Sequence, residues 1–430
     1  MDNTVKEVLQ FAEENDVKFV RMSFCDLFGM QKNISIVSSE LKRAFESGIS
    51  FDGSNILGFS DVTRSDLLLI PDASTLSILP WRPQQGRVIR FFCDIKNPDY
   101  TPFICDTRSI LKNAVTRCEQ MGYTCKIGAE CEFYLFKTDQ NGEPIGTPHD
   151  EGGYLDIAPL DKGENVRREI CLCLEEMGIN PETSHHESGP GQNEIDFEYS
   201  GTLNAADNFL AFKAVVKAIA ARNGLFASFM PKPIKDKSGS GTHINLSLFK
   251  NGKNIFRDVT AGHSKTAESF IAGILDKITD ITLFLNPIAN SYERFGSFEA
   301  PKYVSWSHQN RSQLIRIPAA VGGKIRMELR SPDPSINPYL AFALILHAGL
   351  DGIEQKLALP AALDADLYTA ADDVTKTLTM LPQNLSDAIK AAAGSDFVKK
   401  VLGEHVLDKY IGIKENEDYA FDTSRYFNML

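Results

Sequence analysis

The sequence predicts an α+β fold in two parts. A small mixed sheet comes first, and a larger region follows in which helices back a curved antiparallel sheet. Three observations carry this. The chain has 430 residues, more than one ordinary hydrophobic core holds. Short strand patterns crowd the first hundred residues, whereas long helical patterns alternate with strands in the remainder. Four of the later strands also carry one consistently polar face, which fits a sheet curved around a wet cavity.

In the first part, residues 4–15 have the spacing of an amphipathic helix. Strand-like runs follow at Phe19–Phe24, Gln31–Ile36, Leu67–Ile70 and Arg87–Phe92, with one helix near 38–47. Asn97-Pro98-Asp99 and Thr101-Pro102 mark the boundary. A helix over 107–121 opens the second part and ends at Gly122. Further helices are expected near 164–178, 204–223, 265–280, 338–357 and 383–402.

Between those helices, side-chain alternation sorts residues onto faces. Glu130, Glu132 and Tyr134 share one face of Gly128–Phe136, and Glu194, Asp196 and Glu198 share one face of Glu194–Tyr199. His243, Asn245 and Ser247 lie opposite Ile244, Leu246 and Leu248. In Lys324–Arg330, charged residues alternate with Ile325, Met327 and Leu329. A single such strand is ordinarily a half-solvated edge. Four together, rich in carboxylates and arginines, point to a site.

The segment His185-His186-Glu187-Ser188-Gly189-Pro190-Gly191-Gln192-Asn193-Glu194 is the most telling. Carboxylates repel when gathered in a core, so a cluster of them needs cations. Hard oxygen donors suit Mg²⁺ or Mn²⁺. Glu130, Glu132, Glu187, Glu194, Glu328 and His243 could hold two such ions with positions open for water or substrate. The two histidines divide evenly between ligand and scaffold. Arg294, Arg311, Arg316, Arg326 and Arg330 supply guanidinium groups suited to carboxylate and phosphate. Metals and arginines in one pocket suit phosphoryl transfer. There is no Walker A sequence and no glycine-rich dinucleotide fingerprint, and Ser238-Gly239-Ser240-Gly241 alone is a weak signal.

A net charge of −12 argues against nucleic acid as the main partner. No apolar run reaches membrane-spanning length and no signal peptide is visible, so a cytoplasmic protein is expected. The eight scattered cysteines lack zinc spacing and read as reduced structural thiols.

These residues resemble the glutamine synthetase family, type I, in its bacterial α-type-like form, over nearly the whole chain. Phe51-Asp52-Gly53-Ser54-Asn55 with Ser65-Asp66 is similar to its N-terminal signature, and Lys232-Pro233 through His243 to Ser247 to its ATP-region signature. Gly128–Phe133, the His185–Asp196 segment, Asn290–Arg316 and Arg326–Pro334 complete the match. The resemblance implies a β-grasp N-terminal domain over 1–103 and a catalytic domain over 104–430. It implies a dodecamer of two hexameric rings whose active sites are shared between neighbouring copies, with glutamate, ammonium and ATP as substrates and two or three Mg²⁺ or Mn²⁺ per site.

By resemblance, Glu132, Glu187 and Glu194 hold the first metal, and Glu130, His243 and Glu328 the second. Arg294, Arg311, Arg330 and Gly239 bind glutamate and the transferred phosphoryl group. Ser247, Arg316, Arg326 and Tyr199 serve ATP. Asp52 of an adjacent copy accepts a proton from ammonium, with Tyr154 and Glu187 lining that pocket, and Glu299 belongs to a flap that shields the intermediate. The implied activity is ligation of ammonia to the γ-carboxylate of glutamate through γ-glutamyl phosphate. The alternative is the same chemistry on a small alkylamine or polyamine. Ser238, Asn55, Asp61 and a flap one residue short depart from the family pattern, and the adenylylated tyrosine segment of β-type enzymes has no counterpart.

Overall fold

The computed structural model describes residues 4–82, 85–257, 263–319, 324–416, 427 and 429–430. Two sheets organise them. The first runs Gln31–Val37, Val17–Cys25, Arg87–Lys96, Asp66–Pro71, Ile49–Asp52, with Ser77–Ile78 added beside Arg87–Lys96. Val17–Cys25 and Arg87–Lys96 are parallel, and the other pairings are antiparallel. With the helix Leu41–Ser47 against it, this is the β-grasp arrangement.

The second sheet is built on one 15-residue strand, Thr124–Thr138. Its main path runs Trp306–His308, Ile315–Ile317, Met327–Leu329, Thr242–Lys250, Thr124–Thr138, Gln192–Phe197, Pro181–His186. All neighbours pair antiparallel except the first two strands. The apolar face is buried: Ile127, Ala129, Cys131, Phe133 and Leu135 alternate along the long strand, and Ile244, Leu246 and Leu248 continue the layer. The helix Thr202–Arg222 packs behind it, with Phe212 against Phe133 and Phe197. Burial of this face supplies the hydrophobic drive and fixes which face turns to the cavity.

Helix starts follow capping chemistry. Thr4 and Glu7 form a reciprocal capping box, and Asn337 caps a helix with Pro338 in its first turn. Where two helices cross, a Cβ at Gly273 would lie 2.2 Å from the Ala348 carbonyl oxygen, so glycine permits that approach.

Three expectations change. The helix expected over 383–402 is two, Leu385–Ala393 and Asp396–Leu402, because Ser395 caps a new start after Gly394. The strand expected over Lys324–Arg330 pairs only at Met327–Leu329. Glu198 and Tyr199 lie beyond the end of Gln192–Phe197. The helix Glu404–Glu415 was not anticipated. The eight cysteines are unpaired and seven are buried. Among the described residues no helix is long and apolar enough to cross a membrane.

Candidate active site

Strand register assembles the site. Glu132 lies opposite Glu194, and Glu130 lies between Asp196 on one side and His243 on the other. Asn245 is paired with Glu328. Directly opposed like charges destabilise a sheet. Here they recur on the only polar face that the long strand offers inward, so the repulsion is built into the pairing.

The electrostatics record that crowding. Burial, then the Glu132 carboxylate, pushes Glu187 up to about 8. Burial, with Asp196 and Glu132, drives Glu194 well above the carboxylate range. Burial and then Glu130 raise Asp196, whose Oδ1 is buried without a partner. Burial would raise Glu130 too. His243, 3.2 Å from Glu130 Oε2, outweighs it with help from Asn245 and Arg326, and holds that carboxyl down to about 2.

The turn between Glu187 and Glu194 is held from behind. Asp150 accepts from the backbone of Gly152, Lys162 and Gly191. His186 is buried, with Nε2 2.8 Å from Asp150 Oδ1 and Nδ1 2.6 Å from the Glu187 carbonyl oxygen. Burial would lower the His186 pKa, but these two acceptors raise it. The histidine pair therefore splits. His186 is scaffold, and His185 faces the cavity beside Glu187 and Glu194, with Tyr154 edge-on to its ring.

Arginines form the opposite wall. Arg330 is fully buried and donates to Glu328 Oε1 at 2.5 Å, while Arg316 donates to Glu328 Oε2 at 2.8 Å. Arg326 donates to Asn245, and Arg294 is buried with Nε unpartnered. Arg330 Nη2 and Arg311 Nη1 lie 3.3 and 3.6 Å from Glu299. Phe298 and Glu299 both have positive φ, 48° and 64°, a strained conformation that marks this loop as a constrained element.

These walls enclose a cavity of about 550 Å³. Glu130, Glu132, Glu187, Glu194, His243, Tyr154, Gly239, Arg294, Glu299, Arg311, Arg316, Arg326 and Arg330 all line it. Gly239 has no room for a side chain, since a Cβ would lie 2.6 Å from Arg294 Cγ. Three expected residues fall elsewhere. Glu328 is behind the wall, because its oxygens are engaged by Arg316 and Arg330, although it remains 3.9 Å from His243. Ser247 and Tyr199 line an adjoining cavity of about 520 Å³, which shares Glu130, Asp196 and Arg326 with the first. Tyr199 and Phe249 stack there with Lys126 over both rings.

Asp52 does not line either cavity of its own chain. It is exposed in the first sheet and accepts from Ser54 and Asn55. Asn55, a departure from the family pattern, thus acts on the Asp52 carboxylate. Sequence reasoning left three residues without a role: Asp196, Gln192 and Asp150. The alternation in Glu194–Tyr199 was a usable signal for Asp196. Nothing local marked the other two, whose bonds to Glu132, Gly239, His186 and Gly191 span 36 residues or more.

The donors suit divalent cations. Glu130, His243 and Glu328 offer atoms within 4.8 Å of one another, as do His185, Glu194 and Asp196. The orphaned Asp196 oxygen and the raised carboxyls are what an oxygen-preferring cation would satisfy.

Comparison with known proteins agrees with this geometry. Residues 16–98 match the family described as "Glutamine synthetase, beta-Grasp domain", and residues 104–426 match "Glutamine synthetase, catalytic domain". The chain is 48% identical over 423 residues to a glutamine synthetase of Clostridium saccharobutylicum, covering 97% of this chain and 96% of that one. It is 46% identical over 439 residues to a glutamine synthetase of Methanosarcina mazei, covering 99% and 98%. A solved structure described as "GmaS/ADP complex-Conformation 1" superposes with a TM-score of 0.87 at 31% identity, covering 97% of this chain and 96% of that one. With both sheets, the carboxylate–arginine cavity and these full-length matches in agreement, the chain belongs to the glutamine synthetase family.

Proposed function

We propose that the protein is a cytoplasmic glutamate–ammonia ligase that forms glutamine, ADP and phosphate from glutamate, ammonia and ATP. One observation carries the reading: the carboxylate-and-arginine cavity adjoins an aromatic-walled one, and Glu130, Asp196 and Arg326 line both. That layout suits a small anionic substrate meeting the phosphate end of a nucleotide. The names of relatives at 44–48% identity favour ammonia as the amine.

In this reading Arg294 and the Gly239 backbone hold the glutamate. Its γ-carboxylate oxygen attacks the γ-phosphorus of ATP, the bond to the bridging oxygen breaks, and ADP leaves. Arg330 and Arg311 face the transferring phosphoryl group and offset its charge. Glu130, Glu132, Glu187, Glu194, His243 and Glu328 would hold Mg²⁺ or Mn²⁺, which neutralises phosphate charge when bound. Ammonia nitrogen then attacks the acyl carbon, and phosphate departs. Asp52 of a neighbouring copy in a dodecamer accepts the ammonium proton, next to Tyr154 and Glu187. Tyr199, Ser247, Arg316 and Arg326 address the nucleotide, and Glu299 closes the flap against water, which would hydrolyse the acyl phosphate.

The test is ATP-dependent phosphate release with glutamate and Mg²⁺, comparing ammonium with methylamine, ethylamine and putrescine. Release with ammonium is expected. Release only with an organic amine would overturn the reading in favour of an alkylamine or polyamine ligase.

A further inference from the structure

Gln192 is fully buried, and its amide uses nearly all of its hydrogen-bonding capacity inside the site. Nε2 donates to Glu132 Oε2 at 3.0 Å and to the Gly239 carbonyl oxygen at 3.1 Å. Oε1 accepts from the Gly189 backbone at 2.9 Å and lies 3.4 Å from the Tyr134 hydroxyl. Its backbone carbonyl accepts from Glu187. Tyr134 donates to the Ser238 carbonyl oxygen at 2.6 Å, and the Gly241 backbone donates to Glu132 Oε2 at 2.9 Å. A Cβ at Gly189 would sit 2.0 Å from the Tyr134 hydroxyl and 2.8 Å from Gln192 Oε1, so this packing has no slack.

Three elements therefore meet at one side chain: the carboxylate Glu132, the turn between Glu187 and Glu194, and the Ser238–Gly241 loop. The first two belong to the proposed cation set and the third to the proposed glutamate site. We infer that Gln192 is a positioning residue that couples divalent-cation binding to glutamate binding. A cation drawing Glu132 toward itself moves the amide, and the amide moves the Gly239 carbonyl. Conversely, glutamate seated on the loop sets the Glu132 oxygen. By linkage the two ligands then strengthen each other by the same factor. A residue that merely filled space would lower both affinities and leave that factor unchanged.

This inference rests on the ligase reading, and calorimetry separates the two. L-glutamate is titrated into the full-length native assembly at saturating and at sub-saturating Mn²⁺, and the ratio of the two affinities is the coupling factor. In the native protein it should be about fivefold or more. In Gln192→Met it should fall toward one. Gln192→Glu keeps the acceptor for Gly189 but loses both donors, so it should lose the coupling as well. Tyr134→Phe removes the tether to Ser238 and the longer contact with Gln192 Oε1 but leaves both Gln192 donors in place, and it should weaken glutamate binding while leaving Mn²⁺ affinity unchanged, which decides the matter if the Gln192 variants do not assemble. Native coupling that persists in the Gln192 variants, or unchanged glutamate affinity in Tyr134→Phe, overturns the inference alone. A native protein that does not bind glutamate with Mn²⁺ overturns the ligase reading and this inference together.

Discussion

Two buried charge clusters in this chain make opposite use of carboxylates. Around Arg108, the carboxylates of Asp72, Asp94 and Asp207 lie 2.7–2.9 Å from one guanidinium, and Lys112 adds a second cation at Asp94. Tyr339 also donates to Asp207. Every acid there is answered, and the cluster ties the first sheet to the helices Thr107–Gln120 and Thr202–Arg222. Around Glu130 the acids answer only in part. Glu187 and Glu194 are pushed up, and Asp196 keeps an orphaned oxygen. The lesson concerns balance rather than burial: a closed cluster is structure, and an open one is a place for ligands.

That contrast can be broken by mutation. Arg108→Ala removes the guanidinium shared by three acids, leaving Asp94 to Lys112 and Asp207 to the Tyr339 hydroxyl, and should cost about 3–5 kcal/mol in urea unfolding. A smaller loss would mean the cluster is not self-contained. Glu130→Gln should lower the unfolding midpoint of chelated protein by less than Arg108→Ala does, since it removes the carboxylate that His243 and Arg326 hold ionised but keeps an acceptor for Asn245. It should weaken Mn²⁺ about 100-fold or more in calorimetry, or about 2.8 kcal/mol. Next in size, Mn²⁺ at 100 times its dissociation constant should stabilise native protein by about 2.7 kcal/mol per site, with no such gain in Glu130→Gln at that site.

The remaining tests are in pH. Burial opposes ionisation of Asp72, yet Arg108 holds its pKa below the usual value, so its contribution is present above about 3.8 and is lost as pH falls. Glu187 has the opposite sign. Its folded pKa of about 8 lies above the 4.5 of an exposed glutamate, so chelated protein should lose stability as pH rises from 4.5 to 8. Thermal melts of chelated Glu187→Gln should flatten that upper slope. An unchanged slope would assign it elsewhere.

Much of the open cluster was legible because alternation is a local signal. Glu130 and Glu132 declare their shared face, as do His243 and Asn245. Register is not local, and it alone sets Glu130 between Asp196 and His243. Gln192 reaches Glu132 and Gly239, 60 and 47 residues away, and Asp150 reaches His186 and Gly191, 36 and 41 away, so no nearby spacing marks them. Glu328 was read from the sequence as part of the acid set, but its engagement by Arg316 and Arg330 depends on how a three-residue strand meets its neighbours. The helix expected over 383–402 continued through a Gly-Ser step because its apolar period survives the break.

The strand Thr124–Thr138 has one further consequence, in the order of synthesis. Its sheet neighbours arrive as late as Thr242–Lys250, and the next layer only at Met327–Leu329. At about 5–20 residues per second, a growing chain leaves this long strand without its Thr242–Lys250 partner for roughly 6–22 seconds. During that wait its unpaired edges are exposed to other nascent chains. Glu130 and Glu132 then serve as gatekeepers, since a charged face resists stacking on a copy of itself. The acids proposed to hold cations first keep the strand available for its proper neighbours.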